Sequence, residues 1–139
     1  MTERVFVDTN VLVYAHDLDA GRKRAIAAAV LKDLWATRRG VLSTQVLQEF
    51  YVNVTRKIPT PLEPGVAREV MRSYAAWPVA TPGVVEIVRA SEIEELYKLS
   101  FWDALIVVAA HHIGAARLLS EDLNPGQRIE GVLIENPFA

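Results

Sequence analysis

Several acidic side chains in this sequence occupy positions where they could act together on a substrate. Asp8 and Asp122 each follow a short apolar run, and Asp103 directly precedes another. Carboxylates are the hard oxygen ligands that Mg²⁺ and Mn²⁺ prefer. Cysteine is absent, which excludes a disulfide framework, a thiolate zinc site and a cysteine nucleophile.

Each of these three residues also has a purely structural interpretation. Asp8 fits a helix N-cap or a turn, and Asp122 lies in the turn-like segment SEDLNPG. Asp103 comes three residues after Ser100, which is the spacing of a capping box. The segment 104–110 that follows it is apolar on every face and should be buried all round. A carboxylate at its start therefore caps the helix, faces a polar pocket, or does both.

Two glutamates are less well defined. Glu49 lies nearly opposite the apolar stripe at residues 47, 50, 51 and 54, which predicts a solvated side chain. If a cleft lies on that side instead, Gln45 and Asn53 are its neighbours one turn away. Glu121 directly precedes Asp122, and the sequence does not choose which of the two points inward.

The three histidines are interpreted as ordinary side chains. His111 lies eight residues after Asp103, which is about 12 Å along a helix and too far to share a metal ion. His16 has no ligand spacing around it, and the HExxH pattern is absent.

Charge is unevenly distributed along the chain. The net charge is −2, but residues 1–60 carry an excess of three positive charges and residues 61–139 an excess of five negative charges. Local potential steers a polyanion more than total charge does. Solvated helix faces are the alternative explanation. The candidate contacts with a phosphate backbone are Arg22, Lys23, Arg24, Arg56 and Lys57.

Short apolar runs alternate with longer helical patterns along the chain. Strands are predicted at 5–7, 41–42, 79–80, 118–119 and 132–134, and helices at 21–38, 44–57, 64–77, 82–98 and 100–113. Alternation of this kind implies crossover connections and a parallel sheet. We therefore expect a three-layer α/β/α domain with a central, mainly parallel sheet. In such folds ligands bind outside the carboxyl ends of the strands.

Neither a secretory signal nor a membrane span is expected. The first residues lack a basic stretch followed by a long apolar run. The longest strongly apolar run, 104–110, covers seven residues, whereas a spanning helix needs about 20. We expect a cytoplasmic protein.

Four short blocks, taken in order, resemble the PIN-domain nucleases. They are VFVDTNVLVYA at 5–15, LSTQVLQEFY at 42–51, LSFWDALI at 99–106 and the Ser/Thr-x-Asp pattern SED at 120–122. Each block is weak alone, but the combination is specific and covers essentially the whole chain. Within the family, the size resembles the VapC-type toxins of bacterial toxin–antitoxin pairs.

The resemblance implies a magnesium- or manganese-dependent ribonuclease in a single domain over residues 1–139. Asp8, Glu49, Asp103 and Asp122 match the acidic quartet that ligates metal and carries catalysis. The supporting polar positions match Thr9 or Asn10, together with Ser120. The chemistry agrees, because hydrolysis of a phosphodiester needs an activated water and compensation of charge on the phosphate, which divalent metals supply.

The resemblance also implies partners, namely an RNA substrate and a cognate antitoxin. A homodimer or a toxin–antitoxin hetero-oligomer is the expected assembly. We expect the antitoxin to insert an Arg or Lys towards Asp8 and Asp103, since a cation can replace the metal among carboxylates. Apolar residues of the helices at 21–38 and 44–57 are candidates for the docking surface.

Three alternatives compete with this interpretation. A phosphoacceptor receiver domain needs a second acid beside the first strand and a late Lys, but Thr9 and Asn10 follow Asp8 and no Lys follows Lys98. A haloacid-dehalogenase-type phosphatase needs Asp-x-Asp, which is also missing there. The third alternative is a PIN-like module that binds RNA or protein without cutting.

Overall fold

The computed structural model describes residues 3–139 of the predicted domain; Met1 and Thr2 lie outside it. Six strands and six helices make up this part of the chain. The strands are β1 (Arg4–Val7), β2 (Gly40–Ser43), β3 (Val79–Ala80), β4 (Ala115–Leu119), β5 (Arg128–Ile129) and β6 (Val132–Glu135). The helices are α1 (Thr9–His16), α2 (Arg22–Thr37), α3 (Thr44–Arg56), α4 (Pro64–Tyr74), α5 (Val84–Tyr97) and α6 (Phe101–His112).

The strands form one sheet in the order β3-β2-β1-β4-β6-β5. All neighbouring pairs are parallel except β5 and β6. Helices connect the successive parallel strands from β1 to β4, whereas β4 and β6 are joined by residues 120–131, which contain β5 but no helix. The antiparallel pair is a hairpin whose two turn residues, Glu130 and Gly131, have φ of 53° and 80°, typical of a tight hairpin turn.

Burial confirms that helices cover both faces of the sheet. Val5, Phe6 and Val7 of the central strand β1 are all buried, although consecutive side chains point to opposite faces. Helix α6 is also enclosed, with every residue from Ala104 to Ala110 buried. The predicted α/β architecture, its mainly parallel sheet and the buried apolar helix are therefore confirmed.

The differences from the predicted elements are local. Helix α5 begins at Val84, with Gly83 as its N-cap, so Pro82 precedes the helix rather than opening it. Strand β5 was not predicted, because two residues are too few for a periodic pattern. No helix in the described part, residues 3–139, is long and apolar enough to cross a membrane.

The register of β1 and β4 determines where the polar residues meet. Val7 pairs with Leu119 at the carboxyl ends of these adjacent parallel strands. The residues that follow, Asp8 and Ser120, therefore emerge side by side at the same edge. The backbone N–H of Asp8 donates to Leu119 O at 3.0 Å, which continues the ladder to this point.

Candidate active site

A cleft of about 340 Å³ opens at the carboxyl edge of the sheet. It brings together residues that are distant in the chain, including all four of the predicted quartet. Its lining consists of Asp8, Thr9, Asn10, Val13, Tyr14, Gln45, Glu49, Asn53, Asp103, Ile106 and Asp122. The expectation that ligands bind beyond the strand ends thus points to the same place as the acidic residues.

Asp8 is the most deeply buried of the four acids, with 4% of its surface exposed. It is the N-cap of α1, where Oδ1 accepts from Thr9 N at 2.7 Å. Its other oxygen, Oδ2, accepts from Ser120 Oγ at 2.7 Å. The capping interpretation and the site interpretation are therefore both correct for this residue.

Burial raises the pKa of Asp8 to about 7, against an ordinary value of 3.8. The hydrogen bonds from Ser120 and Thr9 lower the pKa, and the nearby Asp122 and Asp103 carboxylates raise it again. A perturbed carboxyl beside other acids in a cleft is a recognised mark of a functional site.

Asp103 enters the cleft from the first turn of α6. Ser100 is the N-cap of that helix, and its Oγ accepts from Asp103 N at 3.1 Å. Partial burial raises the pKa of the Asp103 carboxyl; the hydrogen bond with Ser100 lowers it, and the Asp122 and Glu49 carboxylates raise it. Because residues 104–110 of α6 are all buried, this carboxylate sits on a rigid support.

Glu49 faces the cleft, so the prediction of a solvated side chain is wrong. Its Oε1 accepts from Thr9 Oγ1 at 2.7 Å, and its Oε2 accepts from Gln45 Nε2 at 3.2 Å. The other alternative, a cleft shared with Gln45 and Asn53, describes the structure. The helical wheel failed because the side of α3 away from the core faces α1 and α6 across the cleft.

The structure also distinguishes Asp122 from Glu121. Asp122 lines the cleft, where its Oδ2 accepts from Asn10 Nδ2 at 3.1 Å. Its backbone N–H donates to Ser120 Oγ at 3.1 Å. The same hydroxyl donates to the Asp8 carboxylate, so Ser120 contacts both Asp8 and Asp122. Glu121 points elsewhere and binds Tyr14 and Lys23.

The supporting polar residues have separate partners. Thr9 holds Glu49, Asn10 holds Asp122, and Ser120 holds Asp8. Tyr14 also lines the cleft and was not predicted. Its position four residues after Asn10, on the same face of α1, is the signal that would have indicated it.

The predicted basic residues fall into two groups. Arg22 donates to Phe138 O at 3.3 Å, and Lys23 forms an ion pair with Glu121. Within residues 3–139, Arg24, Arg56 and Lys57 form no salt bridge. Lys57 lines a shallow hollow that also contains Glu49 and Asn53, which places it beside the cleft.

The donor atoms of the cleft suit a hard divalent cation. Two oxygens in it, Asn10 Oδ1 and Gln45 Oε1, are buried acceptors without a hydrogen-bond partner. Buried acceptors of this kind need a donor or a cation. Within residues 3–139 no three acidic or histidine side chains are already close enough to form a complete metal site. The acids converge on the cleft while the hydrogen bonds of Thr9, Asn10 and Ser120 hold three of them.

The histidines take no part in this arrangement. None of the three lines the cleft. His111 Nδ1 contacts Glu130 O at 2.9 Å, and the ring of His16 meets Phe50 edge-on at 5.6 Å.

The sequence and the fold both have known counterparts. The PIN-domain family model matches residues 5–128. No curated protein matches the sequence. Among solved structures, the sarcin–ricin-loop-cleaving toxin VapC20 of Mycobacterium tuberculosis is 22% identical with a TM-score of 0.63, covering 85% of this chain and 89% of that one.

Two other similar structures are complexes with DNA. The FitAB complex is 15% identical with a TM-score of 0.71, covering 97% of this chain and 96% of that one. VapBC of Salmonella typhimurium is 18% identical with a TM-score of 0.68, covering 98% and 99%. At these identities the likeness concerns the fold.

Proposed function

Since the chain belongs to the PIN-domain family, we propose that it is a divalent-metal-dependent endoribonuclease. Asp8, Glu49, Asp103 and Asp122 are its proposed metal ligands and catalytic residues. The observation that carries this proposal is the convergence of these four acids, from four distant segments, on one cleft. A purely structural role would not explain why Asp8 is buried beside two further carboxylates, because this burial lowers the stability of the fold.

The proposed cofactor is Mg²⁺ or Mn²⁺. An all-oxygen donor set without Cys or His favours these ions over zinc. When bound, the ion would supply an activated water and offset negative charge on the scissile phosphate. The chain's own part is to hold the carboxylates, with Ser120 orienting Asp8 and Thr9 orienting Glu49.

Binding of the RNA backbone is proposed for the basic residues that remain available. Lys57 adjoins the cleft beside Asn53, and Arg24 and Arg56 are exposed on α2 and α3. Contacts of this type give salt-dependent affinity without sequence choice. Arg22 and Lys23, which were predicted for the same role, are engaged with Phe138 and Glu121.

We further propose that the protein is the toxin of a toxin–antitoxin pair in the cytoplasm. Support comes from the fold neighbours, which include VapBC, FitAB and a toxin–antitoxin complex from Klebsiella pneumoniae. A homodimer or a hetero-oligomer with the antitoxin is the proposed assembly. Exposed apolar side chains for docking lie mostly on α5, at Val84, Val85, Ile87 and Val88, rather than on α2 and α3.

The proposed antitoxin inhibits by inserting a basic side chain towards Asp8 and Asp103. Cation and metal then compete for the same oxygens, so inhibition should weaken as Mg²⁺ rises. A cleavage assay with saturating partner over a Mg²⁺ series measures this. Inhibition that neither Mg²⁺ nor removal of the inserted basic residue changes would place the partner elsewhere.

Catalysis is tested with Asp8→Asn and Asp103→Asn. Each replaces a charged ligand by a neutral side chain of similar shape, and both should lose RNA cleavage while keeping the circular dichroism spectrum of the wild type. Glu95→Gln neutralises an exposed acid on α5 and is the matched control. Full activity in either cleft variant at low-micromolar metal would refute the metal site. Wild type that binds RNA but leaves it intact in both Mg²⁺ and Mn²⁺ would establish the non-cutting module instead.

A further inference from the structure

The turn after β4 carries two adjacent acids that face different surroundings. Asp122 lines the cleft, whereas Glu121 turns away from it. The composition of the turn does not determine which of the two acids faces the cleft. The choice therefore has to come from what each carboxylate contacts.

Helix α1 contacts both acids, one turn apart. Asn10 Nδ2 donates to Asp122 Oδ2 at 3.1 Å, and Tyr14 OH donates to Glu121 Oε1 at 2.5 Å. Because residues i and i+4 share a helix face, one face of α1 holds the whole turn. Tyr14 lines the cleft, and its hydroxyl binds Glu121, which lies outside the cleft lining.

Lys23, from the start of α2, completes the binding of Glu121. Its Nζ contacts Oε2 of Glu121 and lies 3.4 Å from Tyr14 OH. The ammonium group also lies 4.9 Å from the centroid of the Tyr14 ring and 5.9 Å from that of Phe138. Both oxygens of Glu121 are thus occupied, and the cation is held over two aromatic rings.

Residues near the chain's end support this cluster. The Phe138 ring meets the Tyr14 ring edge-on at 5.1 Å. Arg22, next to Lys23, donates to Phe138 O. The Glu121 side chain is 24% exposed, and such partial enclosure makes the pair more specific in geometry than a free surface ion pair.

We propose that Tyr14 and Lys23 are positioning residues that keep Glu121 out of the cleft, so that the turn presents Asp122 alone. The inference rests on the proposed nuclease function. It assigns to Lys23 a role in setting the charge and geometry of the cleft, in place of a contact with phosphate. Mg²⁺ demands a nearly ideal octahedron of oxygens, so an additional carboxylate would hold the ion more tightly but in a geometry other than the one that Asp122 provides.

The test uses Lys23→Met, which removes the charge and keeps most of the side chain's length. Released Glu121 adds a negative charge beside Asp122, and affinity of carboxylate sites rises with the number of charged ligands. We expect the Mn²⁺ dissociation constant, measured by titration calorimetry without RNA, to fall about 3- to 10-fold. At the same time kcat for RNA should fall roughly 10-fold or more with KM unchanged, because the reacting groups are misplaced. General loosening of the structure would weaken metal binding instead.

Matched variants separate this effect from a change in surface charge. Lys32→Met makes the same substitution on an exposed residue of α2 and should change neither quantity. Glu121→Gln, added to Lys23→Met, should return the Mn²⁺ affinity and kcat towards wild-type values, and Lys23→Arg should retain both. Tyr14→Phe removes only the hydroxyl and should produce a smaller change in the same direction.

Other results would overturn the proposal. An unchanged Mn²⁺ affinity in Lys23→Met with a raised, salt-dependent KM that Glu121→Gln does not restore would make Lys23 a phosphate contact. Weaker Mn²⁺ binding together with a lower melting temperature would make the cluster purely structural. If the wild type binds Mn²⁺ but cuts no RNA, the nuclease proposal fails, while the affinity measurements still decide what Lys23 and Tyr14 do.

Discussion

Replacing Asp8 by Asn removes a carboxyl group that the fold buries at the edge of the sheet. Asn is as good a helix N-cap as Asp and has nearly the same shape, so α1 should still begin at Thr9. The hydroxyl of Ser120 can still find a partner in the amide. The main change is that no proton is exchanged at this position.

The size of the effect follows from the pKa of Asp8, which is about 7 in the folded protein against an ordinary value of 3.8. Between these values the folded protein holds a proton that the unfolded chain has released. Stability from this group is therefore present at acid pH and is lost as the pH rises from about 4 to about 7. As the pH rises from 5 to 8, the free energy of unfolding of the metal-free wild type should fall by about 3 kcal/mol relative to that of Asp8→Asn. For a chain of this length that is roughly 10 °C in melting temperature.

The assay is urea unfolding of both proteins at pH 5 and pH 8, with a chelator present. The free energy of unfolding of Asp8→Asn should increase relative to that of the wild type as the pH rises. Mn²⁺ added at pH 8 should restore the stability of the wild type but leave that of Asp8→Asn unchanged. Glu95→Gln controls for the change in net charge, since Glu95 is exposed on α5. A difference between wild type and Asp8→Asn that is the same at both pH values would refute the reasoning that burial beside other acids dominates this carboxyl.

Further changes have equally definite outcomes. Ser120→Ala removes the hydroxyl that donates to Asp8, so it should raise the pKa of Asp8 further and cost about 1–3 kcal/mol in urea unfolding, with a larger loss at pH 8 than at pH 5. Gly40→Ala places a Cβ 2.4 Å from the ring of the buried Trp77, and differential scanning calorimetry should show a loss of about 1–3 kcal/mol. Mn²⁺ at about 100 times its dissociation constant should stabilise the wild type by about 3 kcal/mol in thermal melts; the Asp8→Asn/Asp103→Asn double variant should show no such shift.

The strands and the buried helix could be predicted because local sequence decides them. The apolar run before Asp8 and the seven apolar residues after Asp103 each have one good structural solution, and both are observed. The N-cap of α6 at Ser100 was predicted from its spacing for the same reason. Strand β5 could not be predicted, because its pairing depends on a hairpin turn at Glu130 and Gly131 rather than on its own two residues.

The orientation of side chains in the cleft depended on contacts between distant segments. A helical wheel places Glu49 relative to its own helix, but its partner Thr9 is 40 residues away. Glu121 and Asp122 are equivalent by local pattern and are separated only by Tyr14, Lys23 and Asn10. Tertiary contacts of this kind leave no periodic signal in the sequence.

The strand order determines how late in its synthesis the chain can complete the cleft. The central strand β1 is made first, yet its neighbour β4 begins only at Ala115. Ser120 and Asp122 emerge later still, and without them Asp8 lacks its hydroxyl donor and the cleft lacks its fourth acid. At about 5–20 residues per second, a ribosome needs roughly 6–24 s to go from the start of β1 to Asp122. Throughout that interval the nascent chain carries the earlier acids in an unfinished sheet, so the proposed nuclease cannot be assembled before Asp122 has been translated.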